Sequence, residues 1–442
     1  MSTADLLAHL QRLGPLTSPE LQSLLGKSQP TISRLLRDLG PQVVTLGAGR
    51  TTRYAVPQPI LGLSPRQSLY WIDATSTAQS WGELTLLHGG RVHVTAPGLD
   101  VLTAPGEPWP WFLAPLRAQG FLGRLLGKQL AGLGFDSNPE RWTTEQALFA
   151  ATHLPDAPGA IVLGDALAQP VQPVTVDTAD PTARAATYDT LAADVAATLP
   201  AGSSAGGEQA KFLYRRADGQ GAELVKFSPP HGTPFGDRWS DLLHAEALAL
   251  QLLGDHGVPV AHTEVIRTPR RTCLVSQRFD RLPPATPGAP LGRLHVVALD
   301  AMHQAFVAGP RQHWAATLAE LARQRRVPPE VPVQAEHLLH FGRLIGNTDM
   351  HFGNLSLCVT REDVAAGRCT LAPLYDMLPM RWRPDVVRGD LDLLPFEPDA
   401  AALGCAPARA WAQQFWAAMA EHPGVSRAWR ALAVTMQSRI AP

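Results

Sequence analysis

Apolar side chains recur at helical spacing in the N-terminal segment, residues 1–56. The first apolar stripe consists of four leucines: Leu6, Leu7, Leu10 and Leu13. They predict a helix that Gly14-Pro15 ends. Thr17-Ser18-Pro19-Glu20 combines a hydroxyl cap, an early proline and an acidic residue, and so predicts the start of a second helix.

A third helix is predicted after a turn at residues 26–28. Its inward face is formed by Ile32, Leu35, Leu36 and Leu39. Residues 43–46 and 51–56 then have the composition of strands and are separated by a glycine-containing turn. The N-terminal segment is therefore predicted to be three short helices followed by a small hairpin.

Downstream, strand-like and helix-like patterns follow one another in blocks. Residues 69–94 alternate as strands do, with a hairpin predicted at residues 83–94, and residues 111–132 have a helical pattern. A second β-rich stretch is predicted at about residues 205–230. After Trp239 the chain is predicted to be mainly helical, with short strands near 262–279 and 354–376. A β-rich half followed by a helical half is typical of an α+β fold.

Composition limits the range of functions. Hydrophobic residues make up 45% of the 442 residues and charged residues 17%, so we expect a large buried core. The formal net charge is −1, so a nucleic-acid contact requires a local basic patch. The four cysteines form no CxxC pair and are expected to be free thiols. Without a leader pattern or an apolar run of membrane-spanning length, we expect a cytoplasmic protein.

Polar and basic residues mark the outward face of the third predicted helix and the turn before it. They are Lys27, Gln29, Thr31, Ser33, Arg34 and Arg37. Such a helix enters the major groove in helix-turn-helix proteins, and Arg50 and Arg53 of the hairpin would contact phosphates or the minor groove. Six basic residues against three acidic ones give residues 1–56 a charge of +3. DNA binding is therefore expected, and a protein-docking module is the alternative.

Residues 201–211 (AGSSAGGEQAK) bring three glycines together with small side chains, as in loops whose backbone N–H groups contact phosphates. The predicted nucleotide contacts in this loop are Ser204, Gly206, Gly207, Gln209 and Lys211. The loop matches neither GxGxxG nor the Walker A pattern, so alone it is a weak signal.

Lys226 lies in an apolar strand downstream of Lys211, much as the strand lysine of protein kinases follows their glycine loop. Glu246, in the amphipathic run at residues 242–253, is its predicted ion-pair partner in the nucleotide site. The alternatives are a surface lysine and a solvated glutamate.

Residues 344–355 (LIGNTDMHFGNL) carry the strongest signal. Asp349 and Asn354 reproduce the five-residue step between the catalytic aspartate and the metal-binding asparagine of protein kinases. Asp349 is the predicted base for a substrate hydroxyl, and Asn354 is a predicted Mg²⁺ ligand. Asp376, further downstream at the end of an apolar strand, is the second predicted Mg²⁺ ligand. Together these parts predict phosphoryl transfer from ATP.

These motifs closely resemble the HipA family of serine/threonine kinase toxins. SSAGGEQAKF is similar to that family's phosphate loop and LVSQRFDR to its hinge. LIGNTDMHFGNLSL is similar to its catalytic loop, and PLYDMLP to its metal-binding strand. The resemblance runs from about residue 66 to the C-terminus. With a winged helix ahead of it, and with KSQPTISRLLRDLG similar to MarR- or IclR-like recognition segments, the chain looks like the YjjJ-type (HipH-like) branch.

The resemblance implies a protein-kinase-like bilobal fold preceded by a winged helix-turn-helix domain, with ATP and Mg²⁺ as cofactors. It assigns Asp349 as base, Asn354 and Asp376 as metal ligands, and Lys226 as the phosphate-binding lysine. It also implies autophosphorylation at Ser204 or Ser203. A phosphate there adds about −1.5 to −2 charges beside the nucleotide, which we expect to switch the enzyme off.

The expected domains are a winged helix-turn-helix at residues 1–57, a HipA-type N-terminal subdomain at 58–190, a kinase N-lobe at 191–277 and a helical C-lobe at 278–442. Residues 228–240, rich in proline and glycine, are predicted to be a mobile substrate loop or a plain surface connection. A protein substrate is expected, with relatives pointing to a translation factor or an aminoacyl-tRNA ligase. A homodimer and a DNA-bound, nucleoid-associated state are further expectations.

Three other functions remain open. A transcription regulator that senses nucleotide without turnover has little reason to keep Lys226, Asp349, Asn354 and Asp376. A small-molecule kinase has a similar catalytic loop, but the serine-bearing glycine loop favours a protein kinase. A nuclease would use the acidic pair with Mg²⁺ directly on DNA, and no separate nuclease motif in the sequence supports it.

Overall fold

The computed structural model describes residues 3–104, 106–107, 109–169, 180–198, 209–216, 221–284, 289–385 and 392–441. The chain divides into two compact units. Unit 1 comprises Met1–Ile72, Ala78–Gln119 and Leu126–Val171, and unit 2 comprises Asp73–Thr77, Gly120–Leu125 and Gln172–Pro442. Among the helices described, none has the length and apolar character needed to span a membrane.

Unit 1 begins with three helices and a small antiparallel sheet. The helices are α1 (Thr3–Leu13), α2 (Ser18–Leu25) and α3 (Gln29–Leu39). Strands β1 (Leu16–Thr17), β2 (Val44–Leu46) and β3 (Arg53–Ala55) pair in the order β1-β3-β2. The fully buried side chains between the helices include Leu6, Leu10, Leu21 and Ile32. The three predicted helices and the predicted hairpin are confirmed, whereas β1 is too short to show an alternating pattern.

Local capping fixes the start and end of α2. Thr17 Oγ1 accepts a hydrogen bond from the Glu20 backbone N–H, while the Glu20 carboxylate accepts one from the Thr17 N–H at 2.7 Å. This reciprocal capping box is the start signal that the sequence contains. Gly26, at φ +61°, ends the helix in the left-handed region that glycine adopts without strain.

The rest of unit 1 contains a five-stranded antiparallel sheet. Its strands are β4 (Arg66–Ile72), β5 (Ala78–Leu87), β6 (Arg91–Ala96), β7 (Leu99–Leu102) and β8 (Ile161–Leu163), in the order β7-β6-β5-β4-β8. The predicted hairpin at residues 83–94 is confirmed by the β5–β6 pairing.

The helical prediction for residues 111–132 holds only in part. Trp111–Leu116 forms a 3₁₀ helix that contains Pro115, and α4 (Gly120–Gln129) begins afresh after it. Because proline lacks an N–H and crowds the preceding turn, it prevents one continuous α-helix here. Helix α5 (Thr144–Ala151) follows.

The first part of unit 2 combines two long helices with a four-stranded antiparallel sheet. Helix α6 (Pro181–Ala197) precedes β9 (Lys211–Arg215) and β10 (Ala222–Phe227), and α7 (Pro234–Asp255) precedes β11 (Thr263–Arg267) and β12 (Thr272–Gln277). The strand order is β11-β12-β10-β9. Within the described residues, the strands predicted near 205–230 and 262–279 are confirmed.

The remainder of unit 2 is mainly helical, as predicted. Its helices are α8 (Leu299–Phe306), α9 (Trp314–Arg323), α10 (Val331–Ile345), α11 (Ala400–Gly404), α12 (Ala406–Glu421) and α13 (Arg427–Ile440). Strands β13 (Arg281–Leu282) and β14 (Gly292–Arg293) form a ribbon. Strands β15 (His295–Ala298), β16 (Ser356–Val359) and β17 (Thr370–Leu371) form a small sheet. The predicted catalytic motif, residues 344–355, begins in the last turn of α10 and leads to β16.

The prediction of a loop at residues 228–240 holds for residues 228–233, which form neither helix nor strand, and is wrong for residues 234–240. Helix α7 already begins at Pro234, where Thr233 Oγ1 caps it by accepting from the Gly236 N–H at 3.0 Å. The residues before it are held by β12, since the Ser228 N–H donates to the Thr272 carbonyl at 2.9 Å. A Cβ on Gly236 would lie 2.0 Å from the Pro230 carbonyl oxygen, so the segment packs directly on the helix start.

Candidate active site

Lys226 lies on β10 and is only 5% exposed. Its Nζ donates to both carboxylate oxygens of Glu246 on α7, at 2.6 and 2.7 Å, so the predicted ion pair is present. The same ammonium donates to Asp376 Oδ1. One buried cation therefore joins the sheet, α7 and the segment after β17, and its contact with Asp376 is not apparent from the sequence.

The charged groups of this cluster shift one another's pKa values. Burial lowers the pKa of Lys226, but the charges of Asp376 and Glu246 outweigh it and hold that pKa above its ordinary value. Burial raises the pKa of Glu246 above its ordinary value, against the opposing charge of Lys226. For Asp376, burial is outweighed by the charges of Lys226 and Lys211, so its pKa is lowered. Asp376 thus stays an anion at neutral pH, as a metal ligand must.

The backbone at Asp376 has a conformation that residues other than glycine rarely adopt. Its φ is +59°, in the left-handed region. Tyr375, just before it, donates to the Gly353 carbonyl at 2.8 Å, and its hydroxyl lies 2.7 Å from Ser356 Oγ. Burial raises the pKa of Tyr375 to about 12, which keeps this donor protonated. A carboxylate carried on a strained backbone, with its neighbours fixed by hydrogen bonds in this way, is typical of a functional site.

The predicted catalytic motif begins where α10 ends. Gly346, at φ +79°, terminates the helix, and the Asn347 N–H then bonds the Gly342 carbonyl at 2.8 Å. Asn347 Oδ1 accepts from the Asp349 N–H at 3.0 Å, and its Nδ2 makes a long bond of 3.5 Å to the Asp376 carbonyl. This buried amide links the motif to Asp376. Sequence reasoning misses its role, although an asparagine directly after a helix-ending glycine is a signal.

Asp349 and Asn354 are held together as a pair. Asn354 Nδ2 donates to the Asp349 backbone carbonyl at 2.7 Å, and Asn354 is 7% exposed. The carboxylate of Asp349, in contrast, is 46% exposed, with His351 Nε2 at 3.9 Å. The loop backbone is therefore fixed, while the carboxylate that is predicted to act as base stays open to a substrate.

Asn354 and Asp376 fit a Mg²⁺ ion by their chemistry. The amide nitrogen of Asn354 is engaged by the Asp349 carbonyl, and its amide oxygen accepts no hydrogen bond from the residues described. Asp376 likewise uses Oδ1 for Lys226 and has no partner on Oδ2 within the described part of the chain. Hard oxygens from one carboxylate and one amide, completed by phosphates and water, suit Mg²⁺.

The other predicted nucleotide contacts are only partly described. Lys211 on β9 is the cross-strand partner of Lys226, so both side chains lie on one face of the sheet. Gln209 donates its side-chain amide to the Phe227 carbonyl at 2.8 Å, just before β9. The remaining predicted contacts lie outside the described residues: Ser203, Ser204, Gly206 and Gly207.

The predicted DNA-contacting residues belong to unit 1. Exposed side chains on α3 and the turn before it are Lys27, Gln29, Ser33, Arg34 and Arg37. Thr31 is half-buried, with its hydroxyl 3.1 Å from that of Ser28. Arg53 donates to the Pro15 carbonyl at 3.4 Å, so it is partly engaged within its own unit. The side chain of Arg50 lies outside the description.

Comparisons with known proteins agree with this architecture. Residues 203–440 match the HipA-like C-terminal domain, and residues 63–172 match the middle domain of YjjJ-like toxins. Toxin YjjJ of Escherichia coli (strain K12) is 34% identical over 453 residues, which cover 98% of this chain and 97% of that protein.

Two solved structures are also similar. A chain of the Shewanella oneidensis MR-1 complex of HipA, HipB and operator DNA matches with a TM-score of 0.53 and 16% identity, over 84% of this chain and 95% of that chain. The Helicobacter pylori proinflammatory kinase CtkA matches with a TM-score of 0.34 and 13% identity, over 53% of this chain and 87% of that one. The family matches and the first of these structures confirm the predicted resemblance and fold class: the chain belongs to the HipA-like toxin family, in its YjjJ branch, and has the HipA-type kinase-like fold.

Proposed function

We propose that this protein is an ATP- and Mg²⁺-dependent serine/threonine protein kinase of the HipA-like toxin type. The observation that carries the proposal is the buried cation of Lys226, held by Glu246 and Asp376 and linked through Asn347 to the loop that presents Asp349. Phosphoryl transfer needs a cation for the phosphates, metal ligands and a group that orients the acceptor hydroxyl. Each requirement has a candidate in this cluster.

Lys226 would bind the nucleotide phosphates. Its ammonium is already directed by two carboxylates, so it is oriented before a phosphate arrives and loses little freedom on binding. Lys211, on the same face of the sheet, adds a second positive charge. A Mg²⁺ ion held by Asn354 and Asp376 would neutralise charge on the transferred phosphoryl group.

Asp349 would accept the proton of the substrate hydroxyl. The Asn347 side chain holds its backbone N–H and the Asn354 side chain holds its backbone carbonyl, while the carboxylate is half-exposed. A carboxylate open to solvent can be reached by a serine or threonine of another protein, and the serine-bearing glycine loop at residues 201–211 favours a protein substrate over a small molecule. The expected substrate class is a translation factor or an aminoacyl-tRNA ligase.

The test is to incubate the purified protein with γ-labelled ATP and Mg²⁺, alone and with a cell lysate. We expect label on protein, and we expect Asp349→Asn and Asp376→Asn to lower incorporation by at least about 100-fold. Glu362→Gln, an exposed carboxylate beyond β16, is the matched control that should label like the wild type. No label with the wild-type protein or the lysate would refute the kinase proposal. Nucleotide binding without label would favour a nucleotide-sensing regulator.

Autophosphorylation of Ser203 or Ser204 is the second part of the proposal. A phosphate adds about −1.5 to −2 charges to a loop that leads into β9, the strand of Lys211. The added charge should weaken nucleotide binding and switch the enzyme off. Mass spectrometry of the labelled protein identifies the site. A Ser203→Ala/Ser204→Ala variant should keep or increase its activity, and a loss of activity would contradict this regulation.

DNA binding by the N-terminal module is the third part. It is supported by the exposed polar face of α3, where Arg34 and Arg37 lie on the same helix as Gln29 and Ser33. The Shewanella neighbour is a complex that includes HipB and operator DNA. In the present chain, a winged helix-turn-helix of its own would supply the DNA contacts.

This part is tested by the affinity for the chain's own upstream promoter DNA, measured by fluorescence anisotropy over a range of salt concentrations. Arg34→Ala/Arg37→Ala should weaken binding and reduce the salt dependence, with a slope that falls by about 1 for each phosphate that is no longer bound. Arg12→Ala, an exposed arginine on α1, is the matched control. An unchanged salt-dependent affinity of the α3 variant would remove the case for that helix.

A further inference from the structure

Helix α7, which carries Glu246, is enclosed on all sides. From Arg238 to Leu250 no residue of the helix is exposed. Buried residues occur on every face of the helix, and four of them are polar or charged: Arg238, Ser240, Asp241 and Glu246. A helix buried around its whole circumference cannot rotate or shift without disrupting its neighbours.

Two charged residues near the start of α7 connect it to the helical part of unit 2. Arg238 Nη1 donates to the Trp382 carbonyl at 3.0 Å, and its guanidinium lies 5.8 Å from the centre of the Trp429 ring. Trp382 lies shortly after Asp376 in the chain, and a Cβ on Gly346 would be 3.0 Å from its ring. Arg238 thus ties α7 to the segment after Asp376 and, through it, to the start of the catalytic motif.

Asp241, one turn further along α7, makes the second connection. Its carboxylate accepts from the Ser426 N–H at 2.6 Å and from the Ser426 hydroxyl at 2.7 Å. Ser426 is also the N-cap of α13, since its hydroxyl accepts from the Trp429 N–H at 3.2 Å. Asp241 is 3% exposed, so these are buried, charge-assisted bonds. They fix the axial position of α7 against α13.

We propose that Arg238 and Asp241 are positioning residues of the active site: by anchoring α7 to the helical part of unit 2, they preset the Lys226–Glu246 pair before nucleotide binds. In protein kinases, activity is controlled by the position of the helix that carries the glutamate partner of the strand lysine. Here the helix is fixed, and control has to act elsewhere. Because this role presupposes the phosphoryl transfer proposed above, its test includes a measurement that needs no activity.

That measurement is hydrogen exchange of the full-length protein, followed for peptides that cover residues 238–250. We expect slow exchange in the wild type without nucleotide, and no more than a twofold change when a non-hydrolysable ATP analogue and Mg²⁺ are added. Asp241→Ala should speed exchange by at least about tenfold, and Ser426→Ala should act in the same direction but less, because the backbone N–H remains. Gln251→Ala, on the exposed end of the helix, is the control. Protection of α7 that arises only with nucleotide would overturn the proposal, whether or not the protein is active.

The second measurement is a double-mutant cycle on kcat/KM and on the melting temperature. Asp241→Ala should lower kcat/KM by about tenfold or more, and Asp241→Asn, which keeps an acceptor oxygen, should restore most of it. In a Glu246→Gln background, Asp241→Ala should have little further effect on kcat/KM while lowering the melting temperature as before. A kcat/KM loss of equal size in both backgrounds would mean that Asp241 only stabilises the fold, and the positioning role would be wrong.

Discussion

Lys226 and the arginines of α3 are both cations that the sequence marks as functional, but the protein holds them in opposite ways. Lys226 is 5% exposed and is shared by Glu246 and Asp376. Arg34 and Arg37 are exposed, and neither makes an ion pair or a side-chain hydrogen bond with the residues described. A buried cation must have its partners in the fold, whereas an exposed one is free for a partner from outside.

This difference decides what a mutation can reveal. Removing a charge from the Lys226 cluster leaves another charge buried and unpaired, so stability and activity should fall together. Removing a charge from α3 leaves the fold intact, so only binding to a partner should change. The following variants test that contrast, from the largest expected effect on stability to the smallest.

Lys226→Met should have the largest effect. It leaves Glu246 buried at 2% exposure without its cation, and breaking a buried pair in this way costs about 3–5 kcal/mol. We expect a large drop in the urea midpoint of the full-length protein together with loss of phosphoryl transfer. The matched control is Lys27→Met on the exposed turn before α3, for which we expect a change within about 0.5 kcal/mol.

A second variant tests whether the loss of stability in Lys226→Met comes from the unpaired charge of Glu246. Lys226→Met/Glu246→Gln removes both members of the pair and should recover part of the stability while remaining inactive. If Lys226→Met alone were as stable as the wild type, the pair would not be buried as described, and the contrast with α3 would fail.

Gly346→Ala should have the next largest effect. The residue has φ +79°, and a Cβ there would lie 3.0 Å from the rigid ring of Trp382. Left-handed strain and the close approach to the ring together should cost about 1–3 kcal/mol and should displace the start of the catalytic motif. Thermal unfolding and kcat measure the two effects. Gly404→Ala is the control, because that glycine has no positive φ and its added Cβ would meet nothing within 4 Å. Equal behaviour of the two variants would show that Gly346 is not constrained.

How much of this site the sequence predicts depends on how local each feature is. The Lys226–Glu246 pair follows from one strand and the next helix, and the Asp349–Asn354 step lies within one loop, so both patterns are visible in the sequence. The contact of Lys226 with Asp376 joins residues that are far apart in the chain, and the left-handed φ of Asp376 is not specified by its residue type alone. Neither is visible without the fold.

Two errors have a different cause. The prediction that the loop extends to residue 240 gives too much weight to proline and glycine, although Thr233-Pro234 is the same type of helix start as Thr17-Ser18-Pro19. The role of Asn347 escapes sequence reasoning because its bonds to Asp349 and to the Asp376 carbonyl depend on how α10 ends. On α3, in contrast, the predicted inner and outer faces match the observed burial of Ile32 and exposure of Arg34, since helical periodicity alone decides them.

His244 on α7 should give a smaller effect that depends on pH. Burial, with the charges of His422 and Arg267, lowers the pKa of His244 from 6.5 to about 4. The unfolded chain therefore takes up a proton near pH 6.5 and the folded chain only near pH 4, so stability is lost as pH falls through this window. His244→Gln should remove this loss, which we expect to be on the order of 1 kcal/mol for a half-buried ring.

The measurement is the difference in the free energy of urea unfolding between wild type and His244→Gln at pH 7.5, 6 and 5. Carboxylates titrate in both proteins and cancel in the difference. The free energy of unfolding of the wild type minus that of His244→Gln should fall with each step towards acid. Parallel curves would mean that His244 titrates normally and that this part of α7 is more open than the structure indicates.

Arg34→Ala/Arg37→Ala should have the smallest effect on stability, within about 0.5 kcal/mol, because both side chains are exposed and make no described ion pair. Ile32→Ala, on the buried face of the same helix, should cost about 2–5 kcal/mol because Ile32 is fully buried. Calorimetric unfolding of the full-length protein measures both. A stability loss for the double arginine variant that approached that of Ile32→Ala would mean that α3 uses its arginines to hold the fold. The outward face would then not be free for DNA, and the opposition between the two cationic sites would no longer stand.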